Sequence, residues 1–534
     1  MRKMTGSDSA WRQTHLGLSS DNTLTIIDGR IRSVLVNPGE NYLLRLPDEL
    51  LVDIVQLAIC EERPQPRWVS FVAKSEFECE CEFTPNIQCA KTLSRLCHRL
   101  RNIVQPALYL SHTIHSPSPM EYNGHLRPCV QTIKLRRRLE QDMCLAQICK
   151  VYKAELPVFL FEQRNYYEEL QRGAWIPLQR LPNLKCVRLD AVGVDAWGVD
   201  AGLVRFPFVR EVFQEIVTSM RLVQHLTLQC FTVETMHPIK WPALKRLDLD
   251  LVHPDAQLLR ALYQARRTAP FSSLSITTWF SPPEALALLL QWPNRLEHLQ
   301  LGGLFSNEDP FTFTELLSAH CETLQSVDLT NFRSNKGADL LDGTLFPKLE
   351  SVQVSRRLFG RDFGPGYTRS ITLGPKTEFF GMDFGNWDEV GEWRHITERQ
   401  AMWLHDLYSS AVKRKTALKM IGINFNPHYE IRQRIAQAEY PWDRLNRLRD
   451  ELMHPNGIEL EYSTPTVSKA WWMEDAVDWQ RKMDESTTAL TIDEHGGESD
   501  ATAQSIGDTQ RSDETFAIVT GAQWGDVRDY FERL

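Results

Sequence analysis

No uninterrupted apolar run of about 18 residues occurs anywhere in the chain, so no membrane-spanning helix is expected. Asn-x-Ser/Thr sequons are missing as well, and the eleven cysteines, an odd number, follow no framework spacing. Both absences point to a reducing compartment, cytoplasmic or nuclear, in place of secretion. The first residues are polar and contain no apolar signal core. Phosphate-binding Gly-x-x-x-x-Gly-Lys-Ser/Thr, nucleophilic Gly-x-Ser-x-Gly, zinc-binding His-Glu-x-x-His and dinucleotide-binding Gly-x-Gly-x-x-Gly are all lacking. Asp248 and Asp250 sit at alternate positions of an expected strand, and His112 and His115 are three apart; both pairs read as surface residues. Cys79-x-Cys81, Cys89 and Cys97-His98 could in principle supply thiolates to zinc. Their spacing matches no known finger, and Cys97 already has a place on a helix face. No catalytic residue, metal or cofactor is expected.

What the 534 residues do contain is ordinary globular material, 42% apolar and 24% charged. The net charge of −9 argues against a nucleic acid backbone as main partner, and the basic run Arg136, Arg137, Arg138 reads as a solvated face. Two stretches stand out. In residues 44–59, LRLPDELLVDIVQLAI, Pro47 suits the first helical position, and Asp48 and Glu49 put negative charge beside the first-turn N–H groups. Leu50, Leu51, Ile54, Val55 and Ala58 then recur at helical spacing. In residues 92–114, Leu93, Leu96, Cys97, Leu100, Ile103 and Val104 share one face, with basic residues opposite. Two short helices this apolar cannot cover each other fully, so a second body is expected to meet some of that surface.

Together, LPDELLVDI and LSRLCHRLRNIVQPALY resemble the F-box, the helical module that docks onto the Skp-type adaptor of cullin-RING ubiquitin ligases. The resemblance covers under a fifth of the chain. It implies an adaptor-binding set of Leu46, Pro47, Leu50, Leu51, Ile54, Val55, Leu93 and Leu96. The second helix pattern also takes in Cys97, Leu100, Pro106, Leu108 and Tyr109, with His98 where the family often has Arg. Residues 61–90 intervene where the family has a short turn, a departure of uncertain role.

From Val130 a period emerges. The pattern L-x-x-L-x-L recurs as Val130-Ile133-Leu135, Leu184-Val187-Leu189, Val223-Leu226-Leu228 and Leu244-Leu247-Leu249, then as Phe271-Leu274-Ile276, Leu296-Leu299-Leu301, Leu324-Val327-Leu329 and Leu349-Val352-Val354. From position 249 the last residues fall at 276, 301, 329 and 354, steps of 27, 25, 28 and 25. Helix-like stretches at 256–265, 283–291 and 312–320 lie between. The steps are similar to those of leucine-rich repeats. That resemblance implies stacked strand–helix units forming a curved solenoid with a parallel concave sheet. Val192, Phe231, Val252, Leu304 and Phe332 stand where the family carries Asn or Cys, so apolar packing is expected in place of the polar ladder, and the arc should be irregular. The 54-residue step from 135 to 189 implies an unrecognised repeat or a helical replacement at 145–170. A doubly wound α/β sheet is the alternative, disfavoured by the lack of longer apolar strands and of a glycine-rich phosphate loop.

The expected class is therefore α/β: F-box-like helices, then an irregular leucine-rich-repeat solenoid with a C-terminal cap. A loose leader occupies 1–40, with a hairpin turning at Asp28-Gly29. The helical module spans 41–115 with its insert at 61–90, the repeats 126–375, and a repeat or cap region 376–483. Ile371-Leu373 reads as a further strand at the end of the repeats; the cap region then holds Trp387, Trp393, a helix near 398–412, the strand pattern again at Leu418-Ile421-Ile423, a helix at 440–453 and a last strand at Ile458-Leu460-Tyr462. Residues 484–534 read as a mostly disordered acidic tail with a short terminal helix through Trp524, Val527, Tyr530, Phe531 and Leu534. Strand alternation points a polar row out of the concave sheet. It runs through Lys134, Arg136, Arg188, Asp190, His225, Gln229, Arg246, Asp248, Asp250, His298, Gln300, Asp328, Thr330 and Gln353. Of these, Arg188, Asp190, Arg246, Asp248, Asp250, His298 and Asp328 are the target-binding candidates. Mixed signs suit a protein partner better than a membrane or RNA. The expected function is substrate recognition for an SCF-type ubiquitin ligase, with a Skp-family adaptor, through it a cullin, and an unidentified target as partners. A repeat-built interaction scaffold without a ligase role is the alternative, and an unrecognised enzyme with a pocket near Trp387 and Trp393 is the least favoured reading.

Overall fold

The computed structural model describes residues 16–18, 22–27, 30–32, 45–59, 87–114, 134, 137–139, 141, 143–157, 181–192, 221–229, 242–250, 260, 262–279, 283–304, 312–333, 340–359, 371–384, 398–424, 440–463, 468–471 and 473–474. The chain is mixed α/β, built on one large open parallel sheet. Three short strands precede it: β1 (Leu16–Leu18), β2 (Asn22–Ile27) and β3 (Arg30–Arg32), paired antiparallel. Ile27 pairs with Arg30 in the antiparallel β2–β3 pair; Asp28 and Gly29, where the sequence predicts the turn, lie outside the described residues.

Three helices follow, α1 (Asp48–Ile59), α2 (Ile87–Leu96) and α3 (His98–Leu110). Leu51, Val55, Ile59, Ala90, Leu93, Leu100 and Val104 form a small core of their own. The sequence suggests one helix after an insert ending at residue 90. In the structure α2 starts at Ile87 and stops at Leu96, and α3 restarts at His98. The rest of the insert, with Cys79 and Cys81, lies outside the described residues.

The twelve strands of the main sheet are β4 (Ser111–Ile114), β5 (Val151–Pro157), β6 (Cys186–Val192), β7 (His225–Gln229), β8 (Arg246–Asp250), β9 (Ser273–Ile276), β10 (His298–Leu304), β11 (Ser326–Arg333), β13 (Ser351–Ser355), β15 (Phe379–Asp383), β16 (Met420–Asn424) and β17 (Glu459–Tyr462). Each is parallel to its neighbour, and spatial order follows chain order. A doubly wound sheet reverses direction at a switch point. This one never does, which removes that alternative. Two further strands, β12 (Leu341–Asp342) and β14 (Ile371–Thr372), pair with each other outside the main sheet.

One carbonyl before each strand from β5 to β15 of the main sheet sets the register of the next. The carbonyls of Lys150, Lys185, Gln224, Lys245, Ser272, Glu297, Gln325, Glu350 and Glu378 each accept from two consecutive N–H groups opening the next strand, at 2.7–3.1 Å. Both lone pairs of each oxygen are thus used. With register held, apolar residues stack in two columns: Tyr152, Val187, Leu226, Leu247, Leu274, Leu299, Val327, Val352, Phe380, Ile421 and Leu460 in one, with Leu189, Leu228, Leu249, Ile276, Leu301, Leu329, Val354, Met382 and Ile423 in the other. The first residue of each motif (Leu184, Val223, Leu244, Phe271, Leu296, Leu324, Leu349) is buried just before its strand begins.

The connections carry α4 (Met143–Ile148), α5 (Pro283–Leu290), α6 (Phe313–Leu317), α7 (Glu398–Arg414) and α8 (Pro441–Arg447). At α6, Thr312 accepts from the Glu315 N–H while Glu315 accepts from Thr312, a reciprocal cap. The stretch at 256–265 is helical at residues 260 and 262–264, and residues 256–259 lie outside the described residues.

The structure refines the sequence reading at three points. Val130-Ile133-Leu135 is not shown as a strand: Lys134 and residues 137–139 are helical, and the rest of that motif lies outside the described residues. In the 54-residue step, where the sequence leaves either an unrecognised unit or helices, the structure has both a short helix at Met143–Ile148 and the strand β5, spaced as Cys149-Tyr152-Ala154; β4 comes earlier still. Ile371-Leu373 contributes to the small pair, and the next strand of the main sheet is β15, reached through Thr377-Phe380-Met382. Beyond residue 376 the chain adds three strands to the sheet, not only a cover. Trp387, Trp393 and the tail from 484 lie outside the described residues.

Gly302 allows β10 to bulge against its neighbour. A Cβ there would lie 2.0 Å from the Thr277 carbonyl oxygen and 2.9 Å from the Asn331 Cβ. Backbone on that side cannot yield cheaply. Gly302→Ala should lower the denaturant midpoint by at least about 1 kcal/mol equivalent, without changing the m-value. Urea unfolding followed by circular dichroism checks this, and a wild-type midpoint would refute it.

Candidate protein-interaction surfaces

Two surfaces emerge, one on the helical module and one on the sheet. The module's N-terminal end is clamped from within. Arg99 on α3 donates to the Leu46 carbonyl at 2.6 Å and through Nε to Asp48 Oδ1 at 2.7 Å. This fixes the leading Leu-Pro against α3. Leu50 is 49% exposed and Leu96 is 64% exposed, Pro47 is exposed, and Leu46 and Ile54 are half-buried. Leu51, Val55 and Leu93 are sealed inside the module's own core. Of the eight residues named from the resemblance, five therefore offer surface and three position it.

On the sheet, residues alternating with the core columns form the outward face. From β6 to β8 the register sets Cys186, His225 and Arg246 in one row and Arg188, Thr227 and Asp248 in the next, with Asp190, Gln229 and Asp250 in a third. His225 Nε2 lies 2.6 Å from Asp248 Oδ2, and Arg246 Nε donates to Asp248 Oδ1 at 2.8 Å. Thr227 adds a hydroxyl to Asp248 at 3.3 Å. Burial pushes the Asp248 carboxyl up, but the hydrogen bonds and charge from His225 and Arg246 outweigh it and leave the group below its ordinary range. Arg188 Nε donates to both Asp190 oxygens at 2.9 and 2.8 Å, and Thr278 donates to Asp250 at 3.1 Å.

Further along, Ser275 donates to Gln300 at 2.9 Å and Gln300 to Asp328 at 3.1 Å. The Thr330 N–H and hydroxyl reach Asp328 at 2.9 and 2.6 Å. Burial raises the Asp328 carboxyl above its usual range, and these neutral donors only partly offset it. His298, half-buried on β10, is held down to about 4 by burial first and by the charge of Arg246 second.

The structure thus joins Arg188 with Asp190 and Arg246 with Asp248 and His225, while Asp328 belongs to a separate Ser–Gln–Asp–Thr chain. Lys153, Cys186 and Thr227 are face residues that the motif reading missed. Lys153 was hidden because β5 has Cys149, Tyr152 and Ala154 at the three motif positions, and Cys186 because the motif begins the strand one residue later. Cys186 Sγ lies 3.8 Å from His225 Nδ1, yet burial pushes the thiol up to about 12, so it is no ready nucleophile. Among the described residues no group of three or more His, Cys, Asp or Glu could hold a metal ion, and no helix is long and apolar enough to cross a membrane. The sequence matches no protein-family model, and no similar chain is found among curated proteins.

The histidines give the fold a pH dependence. A second buried one, His320, uses the neutral form: Nδ1 accepts from the Leu296 N–H at 3.3 Å, and Nε2 donates to the Leu290 carbonyl at 2.7 Å. Burial holds it below the ordinary histidine range. Both His298 and His320 take up protons on unfolding, so the unfolded chain binds more protons below about pH 6.5. Stability should therefore fall between about pH 6.5 and pH 4, and His298→Gln should flatten that slope. Midpoints of urea unfolding at pH 7.5, 6 and 5 test the sign; a rise toward acid would contradict it.

Proposed function

We propose that the chain is a non-catalytic substrate-recognition subunit of an SCF-type ubiquitin ligase. The helical module would bind a Skp-family adaptor through Pro47, Leu50, Ile54 and Leu96, and the outward face of the sheet would hold a target protein. The sheet is then read as an irregular leucine-rich-repeat solenoid, for which the in-order parallel strands and two apolar columns are the support. The observation that carries the reading is the divided character of α1 and α2. One side closes a small core, while Leu50 and Leu96 stay exposed beside it, as a docking helix needs. The contribution to rate would be proximity: tethering a target turns an encounter between two proteins into an intramolecular one.

A second reading has its own support. Leu110 ends α3 and Ser111 begins β4 with no linker, the Leu110 carbonyl accepts from the Lys150 N–H at 2.9 Å, and Tyr109 packs on the main core. The helices then serve as an N-terminal cap of an interaction scaffold. Co-expression with a Skp-type adaptor separates the two. The ligase reading expects the adaptor to co-purify with wild type, and the doubly substituted Leu50→Asp, Ile54→Asp chain to lose it by at least about tenfold while keeping its circular dichroism spectrum. Failure of the wild-type chain to retain the adaptor would leave the scaffold reading.

A further inference from the structure

We infer that the entry rim of the sheet, the turns that lead into β5 to β9, binds the chain's own acidic C-terminal segment, residues 484–510. This goes beyond the function proposed above and rests on neither its adaptor half nor its target half. An acidic partner that docks on this rim then competes with the chain's own segment.

The charge of the chain is unevenly placed. Residues 484–534 hold twelve Asp and Glu against three Lys and Arg, a net of −9, which is the whole net charge of the protein. Residues 1–483 are left with 57 acidic and 57 basic residues. Within the segment, residues 484–510 carry seven acidic residues and no Lys or Arg. Such a stretch repels itself and is stabilised by a fixed set of cations.

The rim supplies that set. Lys150, Lys185, Arg221, Lys245, Arg266 and Arg267 stand in the successive turns before β5, β6, β7, β8 and β9, and among the described residues of those turns there is no Asp or Glu. The shared-carbonyl hydrogen bonds set these turns side by side. Arg221, Lys245, Arg266 and Arg267 are exposed. Arg266 lies over the Tyr263 ring at 4.0 Å, and Arg267 donates to the Ala319 carbonyl at 2.7 Å. Both contacts hold a cation in place without neutralising it. From β10 to β15 the same turns become mixed in sign: Glu297, Glu322, Glu350 and Glu378 enter, with Glu297 paired to Arg295 and Glu378 to Lys419. The face acids Glu155, Asp190, Asp248 and Asp250 lie three to five residues further along their strands than the rim lysines. That is ~10 Å or more, about a Debye length, and Asp248, the nearest, is already held by Arg246 and His225.

The segment is within reach. In the order of the sheet β8 stands seven strands from β17 and β5 stands ten, a path of about 34 to 48 Å. From Glu474, the last described residue, to residue 500 is 26 residues, up to about 85 Å when extended. Covalent attachment gives the segment an effective concentration at the rim on the order of a millimolar, so exposed ion pairs too weak to hold a free peptide suffice.

The test treats the full chain at low salt with a water-soluble carbodiimide, which joins carboxylates to lysine amines in direct contact, and maps the links by mass spectrometry. Links within one chain are expected from residues 484–510 to Lys245 and Lys185, and they should disappear at high salt. Arg221→Gln combined with Arg266→Gln should lower the yield at Lys245 roughly threefold or more while leaving that lysine intact as reporter. Lys348 and Lys376, exposed in the glutamate-bearing turns before β13 and β15, are the controls and should gain few links to the segment. Unfolding midpoints within error of wild type confirm that the variant is folded. Absence of the links, equal yields at Lys348 or Lys376, or a yield unmoved by salt or by the double substitution would overturn the proposal. Links confined to covalent dimers would overturn the assignment to the same chain.

Discussion

One backbone carbonyl ahead of each of nine successive strands, β5 to β15 in the main sheet and no others among the described residues, accepting from two N–H groups of the next, is the contact on which the architecture depends. It needs no particular side chain. Lysine, glutamine, serine and glutamate all occupy the position, because only the peptide oxygen is used. What the position does need is a chain direction, supplied by the buried residue just before it. Leu184, Val223, Leu244, Phe271, Leu296, Leu324 and Leu349 act as these anchors. Once a carbonyl has captured its two donors the register of the next strand is settled, and a slip by one residue would turn every apolar side chain outward.

From that register follows the division of labour between the two faces. One carries stacked leucine, valine, isoleucine and aromatic residues, and burying them is the main favourable term. The other carries arginine, aspartate, histidine, serine and glutamine, joined across strands by short hydrogen bonds. Side-chain ties such as Arg246–Asp248–His225 and Ser275–Gln300–Asp328 bridge neighbouring strands on the outward side. They tie down carboxylates that would otherwise repel one another.

The helical module follows a different rule. Its core is small and separate, and the clamp from Arg99 to Leu46 and Asp48 holds the start of α1. A module of this size cannot bury every apolar residue it carries, and Leu50 and Leu96 are the surplus. Its last helix runs without a linker into β4, and Tyr109 near the helix end packs on the core of the sheet.

Nine of the twelve sheet strands were legible in the spacing of apolar residues, β16 and β17 among them, because the strand's period of two and the anchor ahead of it leave a fixed imprint on the sequence. The helix beginning at Pro47 was legible for the same reason, from a period of 3.6 and an acidic first turn. Three strands were not: β4 lies in a stretch read as helical module, and at β5 and β15 the anchors are unconventional. Cys149 is small and apolar, and Thr377 is fully buried because its hydroxyl donates to the Leu349 carbonyl and accepts from the Gly374 N–H. Val130-Ile133-Leu135 has the same spacing and lies outside the described residues. The sequence by itself therefore determined the fold class and most of the sheet's core columns, as these depend on local periodicity. Only the tertiary structure decided which of the polar face residues meet, which of the eight module residues stay exposed, and that Lys153 stands beside Arg188. Those facts depend on register between strands distant in sequence, and periodicity within a strand carries no information about it.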